Sequence, residues 1–136
     1  MLILLLHQWL PFDNALAALY PGEGVPKPLA AYQGTQWRLA DMYAQLESAR
    51  LLTMKAAARR DSGERFSLDS ATAKLVAAEC AGFITDAALQ LHGGYGYSRD
   101  LPLERYVRDA RILRIFEGTS EVQKIIISRA LLDAAR

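Results

Sequence analysis

Glu117 has the residue type and setting most suited to chemistry. It lies in Phe116-Glu117-Gly118-Thr119, a tight connection between two helical patterns. A carboxylate just before a helix N-terminus is stabilised by free N–H groups and by the positive end of the helix dipole. Gly118 lets the backbone approach a ligand closely. Phe116 is placed to exclude water, and desolvation favours the protonated acid. That combination suits a general base that takes a proton from carbon. The same residues also suit a plainer role, a carboxylate capping the last helix.

His92-Gly93-Gly94-Tyr95-Gly96-Tyr97 is a second candidate. Its backbone N–H groups could cradle a phosphate, but it lacks the strand and glycine spacing of a dinucleotide-binding turn. A glycine-rich helix connector is the simpler reading. The arginines between Arg105 and Arg114 read as a solvated face. His7 and His92 have no cluster of ligands around them, so no metal site is expected. Cys80, among alanines, reads as a small core residue and leaves no internal disulfide.

The elements that must position these residues are helical. The chain has 136 residues and 51% hydrophobic content, enough for one domain with a real core. Its 16 basic and 15 acidic residues nearly cancel, which gives no reason to expect a nucleic-acid partner. The apolar start, Met1 to Leu6, is too short to span a bilayer, which takes roughly 20 residues. It also lacks the basic flank of a signal peptide, so it is expected to be packed or to reflect where the chain begins. Trp9-Leu10-Pro11 should break any helix, Asn14 to Tyr20 could form a short one, and the prolines and glycines between Pro21 and Pro28 predict a loop.

Leu39, Met42, Leu46, Ala49, Leu52 and Ala56 form one apolar stripe, which predicts a helix from Tyr32 to Arg60 with Gly63 as its C-terminal cap. A second helix is expected from Leu68 to Leu91, with Ser67 as N-cap and Asp69 in the first turn. It is rich in alanine, and Gly82 is expected to mark a tight contact. Asp100 could cap a third helix, with Pro102 near its start and its end near Arg114. Glu104–Arg108 and Arg105–Asp109 are its i,i+4 pairs. Ser120-x-x-Gln123 matches a capping box opening the last helix, whose faces are set by Val122, Ile125, Ile126, Arg129 and Leu132. The fold class is all-α, a four-helix-type, up-and-down bundle.

Several of these stretches together resemble one known family. Gln90-Leu91-His92-Gly93-Gly94-Tyr95-Gly96-Tyr97, Pro102-Leu103-Glu104-Arg105, Arg108-Asp109-Ala110 and Phe116-Glu117-Gly118-Thr119-Ser120-Glu121-Val122-Gln123 follow the C-terminal signature of acyl-CoA dehydrogenases in order and spacing. Gln33-x-x-Gln36, Leu39-Ala40-Asp41-Met42, Ala49-Arg50-Leu51-Leu52 and Ala73-Lys74-Leu75 fit the same domain. The resemblance runs over residues 27–136 and leaves 1–26 as an irregular segment outside the pattern.

The resemblance implies a C-terminal helical domain normally preceded by a helical and a β domain that this sequence does not contain. It implies Glu117 as the catalytic base, taking the α-proton of an acyl-CoA thioester while the β-carbon gives a hydride to FAD, with a trans-2-enoyl-CoA as product. The Glu117 N–H would polarise the thioester carbonyl, and Gly118 would touch substrate. Thr119, Ser120 and Glu121 would line FAD, with Gln33. Gln90, Leu91, His92, Gly93 and Gly94 would reach FAD from a neighbouring subunit. An electron-transfer flavoprotein would take the electrons, in a homodimer or homotetramer serving fatty-acid β-oxidation in the bacterial cytoplasm or the mitochondrial matrix. An acyl-CoA oxidase relative, using oxygen as acceptor, and a non-catalytic helical oligomerisation module are the alternatives.

One departure stands out. The family's Arg-x-x-Phe-Gly, whose arginine binds FAD, is replaced here at Gly22, Val25 and Pro26, and the first long helix of the domain is unrecognisable. A codon string for a family-like Tyr-Thr-Arg-Glu-Arg, read one base early, encodes Leu19 to Gly24, which suggests a shifted reading frame upstream of Lys27.

Overall fold

The computed structural model describes residues 11–16 and 28–136. The proline- and glycine-rich stretch, the lost arginine and the proposed frame shift fall at residues 17–27, outside the described residues. Residues 11–16 are helical, with Phe12 and Ala15 buried in the same core as the rest, while Trp9 and Leu10, where a break was expected, lie outside the described residues. Among the described residues there is no strand, and no helix is long and apolar enough to cross a membrane.

After a single 3-10 turn at Leu29–Ala31, α1 spans Gln33–Asp61. Its buried residues are Met42, Leu46, Ala49, Thr53 and Ala56. Their alternating spacing of four and three keeps them on one face. Thr53, rather than the expected Leu52, continues the stripe, because its hydroxyl donates to the Ala49 carbonyl at 2.8 Å and so enters the core satisfied. Gly63, at φ 76°, ends α1 as expected: its N–H donates to Arg60 and the Glu64 N–H to Arg59, both last-turn carbonyls.

α2 spans Ser67–His92. Ser67 lies within the helix and does not cap it; Phe66 precedes it with no side-chain cap. Asp69 ties the hairpin instead, accepting from Arg59 at 2.8 Å and Lys55 at 2.9 Å across to α1. Ala71, Ala73, Ala77, Ala78, Ala81, Ala87 and Ala88 are all buried. These short side chains let other elements come close from several sides. α2 packs against α1, against the one-turn helix α3 (Gly94–Tyr97), against α4 (Leu103–Ile112) and against α5 (Ser120–Ala134). The four long helices thus form a bundle centred on α2.

The glycine-rich segment is not a loop throughout. Gly93, at φ 58°, ends α2, and α3 then folds back onto it. A Cβ on Gly96 would lie 2.5 Å from the Leu89 carbonyl oxygen, so glycine is required there by packing rather than by a phosphate. At α4, Pro102 rather than Asp100 occupies the capping position, and Asp100 accepts from the Ser98 hydroxyl. Glu104 and Arg108 pair at 3.0 Å, whereas Arg105 lies over the Tyr106 ring.

Asp69→Asn tests the hairpin tie. Hydrogen bonds from Arg59 and then Lys55 hold the Asp69 carboxyl below its ordinary value. A depressed carboxylate contributes stability above its unfolded value and loses it as pH falls through the folded one. The variant should therefore unfold at lower urea at neutral pH, and the two proteins should converge in acid below the ordinary aspartate range. An equal gap at both pH values would refute the ion-pair account.

Candidate active site

The connection between α4 and α5 carries two consecutive residues with positive φ. After Ile112 the chain continues in hydrogen-bonded turns, with the N–H groups of Ile115 and Phe116 donating to the Ile112 carbonyl. It then reverses at Glu117 (φ 52°) and Gly118 (φ 89°). Glu117 is the one non-glycine with positive φ among the described residues. A left-handed conformation costs an L-residue about 1–2 kcal/mol, and such strain concentrates at functional sites.

The flanks are tied down to hold this shape. The Ser120 N–H donates to the Arg114 carbonyl at 3.1 Å. Lys74 on α2 donates from Nζ to the carbonyls of Leu113 and Gly118, both at 2.7 Å. Gln123 adds a bond from Nε2 to the Gly118 carbonyl at 3.1 Å. Glu79, one and a half turns along α2, accepts from the Ser120 hydroxyl at 2.9 Å and from Arg114 at 3.1 Å. The Arg114 guanidinium lies over Gly82, where any Cβ would collide with it, so the tight contact expected at Gly82 is real. Burial lowers the Lys74 ammonium below the ordinary lysine value, while Glu117 and Glu79 act to raise it.

Glu117 and Phe116 are both exposed. The water exclusion expected from Phe116 is therefore not supplied within this chain. The carboxylate stabilised in the first turn of α5 is Glu121: its own N–H and then the Thr119 hydroxyl hold its pKa below the ordinary glutamate value. Thr119 is the true N-cap, accepting from the Val122 N–H at 3.3 Å, which displaces the capping box expected at Ser120. Ser120 is buried, with its hydroxyl donating to Glu79 and its N–H to the Arg114 carbonyl.

Two groups of expected residues emerge at different levels of the bundle. Glu117, Gly118, Thr119, Ser120 and Glu121 lie beside Lys74 and Glu79. Gln90, Leu91, His92, Gly93 and Gly94 lie at the far end of α2, roughly 16–24 Å further along at 1.5 Å per residue. Gln33 belongs to that second group, because the Arg59–Asp69 pair sets α1 antiparallel to α2 and brings its start level with the α2 C-terminus. Within the second group Gln33, Gln90, Gly93 and Gly94 are exposed. Leu91 packs on the core and the His92 Nδ1 bonds the Ala88 carbonyl. Among the described residues no three metal-binding side chains come together. Burial pushes the Cys80 thiol up to about 12, so it is inert core.

A family profile described as acyl-CoA dehydrogenase, C-terminal domain, matches residues 12–132. The chain belongs to the acyl-CoA dehydrogenase family. The match also takes in residues 12–26, ahead of the stretch in which the sequence motifs were read. Acryloyl-CoA reductase (NADH) of Anaerotignum propionicum is 51% identical over 106 residues, 78% of this chain and 27% of that protein. The short-chain specific acyl-CoA dehydrogenase of Clostridium acetobutylicum is 47% identical over 117 residues, 86% of this chain and 31% of that protein. The structure of butyryl-CoA dehydrogenase from Megasphaera elsdenii superposes with a TM-score of 0.90 at 40% identity, covering 95% of this chain and 34% of that one. The chain thus spans roughly a third or less of the relatives it matches.

The strained turn can be tested directly. Gly118→Ala would place a Cβ into Gln123 Nε2 at a backbone angle that L-residues avoid. It should destabilise the chain by about 1–3 kcal/mol in urea unfolding. Unchanged stability would show that the turn relaxes freely.

Proposed function

We propose that this chain is the C-terminal domain of a flavin-dependent enzyme that dehydrogenates a short acyl-CoA thioester at its α and β carbons, with Glu117 as the base. The observation that carries the reading is Glu117 itself, presented outward on strained backbone inside the family's Phe116-Glu117-Gly118-Thr119 signature. Its carboxylate accepts the α-proton. Among the described residues, the turn's hydrogen bonds use the N–H groups of Phe116 and Ser120 and leave that of Glu117 for the thioester carbonyl, where it would stabilise enolate-like charge. Gly118 lets the substrate pass close to the backbone.

The residues fit FAD as a partner. Exposed neutral amides at Gln33 and Gln90 and the exposed Gly93 and Gly94 suit a flavin dinucleotide at one level, and Thr119, Ser120 and Glu121 suit one at the other. When bound, the flavin supplies the acceptor for the β-hydride, so that loss of proton and hydride leaves the trans double bond. Because the two groups lie far apart along α2, one domain would serve two flavins, which favours a homodimer or homotetramer. An electron-transfer flavoprotein is the acceptor, in the bacterial cytoplasm or the mitochondrial matrix. The similarity to an acryloyl-CoA reductase bears on direction: the group that removes the α-proton one way returns it the other way, and Glu117 serves either.

Replacing Glu117 with Gln in the complete flavoenzyme should slow flavin reduction by acyl-CoA about 10²–10⁴-fold, the usual cost of losing a general base. Glu121→Gln should slow it far less. Rapid-mixing spectroscopy of the flavin decides, and near-parental reduction by Glu117→Gln would remove the assignment and favour the non-catalytic module.

The surface supports the oligomer. Trp37, Leu51 and Met54 on α1 and Ile125, Leu131 and Leu132 on α5 are all exposed, several by more than half. Large apolar side chains left exposed on two helices are what an interaction site would cover. Light scattering of the 136-residue chain should show mass rising with concentration; a clean monomer throughout would count against a homo-oligomer.

A further inference from the structure

α2 carries one lysine, and neither core packing nor helix formation calls for it. Between Ala71 and Ala81, where most positions are small and buried, Lys74 carries its ammonium under the α4–α5 connection. Nζ bonds the carbonyl of Leu113, which ends α4, and the carbonyl of Gly118, which precedes the N-cap of α5. Carbonyls at the end of a helix have no main-chain donor and are usually served by water. Here one half-buried cation serves a carbonyl on either side of the turn, through bonds that are charge-assisted and therefore about twice as strong as neutral ones.

The main-chain bond from Ser120 to Arg114 closes the loop but leaves the Gly118 peptide free to rotate, as glycine readily does. Lys74 and Gln123 both point that carbonyl inward. The Glu117 side chain is exposed, and the backbone beneath it sets the direction in which its Cα–Cβ bond leaves the turn. A misplacement of about 1 Å at a reacting group costs on the order of 10²-fold in rate.

We propose that Lys74 is a positioning residue for the base: bonded to the carbonyls of Leu113 and Gly118, its ammonium holds Glu117 and Gly118 in their left-handed conformations before substrate arrives. This rests on the reading of Glu117 as the base.

The test uses the complete flavoenzyme carrying this segment. Lys74→Met keeps length and removes the donors. Flavin reduction at saturating acyl-CoA should slow about 10–100-fold, while bound flavin and the acyl-CoA Kd stay within about threefold of parental. Parental reduction overturns the proposal, and so does a loss of substrate binding equal to the loss of rate. If Lys74→Met fails to keep flavin, Lys74→Arg decides. It retains the charge, but its longer guanidinium cannot place its donors where the ammonium sits between the two carbonyls. Slowed reduction with flavin retained supports the proposal; parental reduction overturns it. Glu117→Gln is run alongside. If that variant reduces its flavin normally, the base assignment fails and takes Lys74 with it. If it is inactive while Lys74→Met is parental, only the role of Lys74 fails.

Discussion

Close approach to α2 is the constraint on which the remaining structure depends. α1, α3, α4 and α5 all rest on it, and they can do so from different sides because most of its buried residues are alanines. Leucines at those positions would fill space that the neighbouring helices now occupy, and overpacking of a tight core typically costs about 1–3 kcal/mol. Alanine also has the highest helix propensity, so the same residues that thin the helix keep it continuous. The arrangement leaves little room for error where α2 carries charge. Lys74, Glu79 and Asp69 each reach out to a defined partner on another element instead of pointing to solvent.

A strained turn is tolerated only where its surroundings over-determine it. At Glu117 and Gly118 that task falls to side chains of α2 and α5 rather than to the turn itself. Lys74 and Gln123 converge on one carbonyl, and Glu79 joins Arg114 to Ser120 across the closed ends of the loop. Each of these bonds is modest in water, at about 0.5–1.5 kcal/mol net for a neutral pair. Together they offset the cost of one residue in a left-handed conformation. The catalytic proposal and the packing of α2 are thereby linked, since the helix that organises the core also fixes the loop.

The helices were legible in the sequence because their periodicity is strong. Both long helices fall within a residue or so of their expected ends, and Gly63 and Gly82 do what their positions suggested. The caps were less legible. Ser67, Asp100 and Ser120 all have the right side chain, yet none caps its helix: Phe66 and Pro102 hold the cap positions without a side-chain bond, Thr119 caps α5, and the Ser120 hydroxyl goes to Glu79. The supporting residues of the turn were missed, although a signal existed. A lysine and a glutamate embedded among buried alanines must find partners across an interface, and their distance in sequence from Glu117 hid which partners those are. The water exclusion expected from Phe116 failed for a related reason: adjacency in sequence says nothing about which side chain covers which.

The separation between the two groups of proposed cofactor residues bears on how such a domain works. α2 is rigid and long, so it holds the Gln90 to Gly94 corner and the Glu117 turn at a fixed span of roughly 20 Å. Neither group encloses anything by itself, and both Glu117 and Phe116 face solvent. A general base for a weak carbon acid needs a dry setting, because water both competes for the proton and screens the developing charge. That dryness must come from surfaces brought against the turn. The exposed apolar side chains of α1 and α5 are what such an assembly would cover. On the proposed reading, burial of apolar surface and activation of the carboxylate are one event, and the bundle's part is to keep the base in register until it happens.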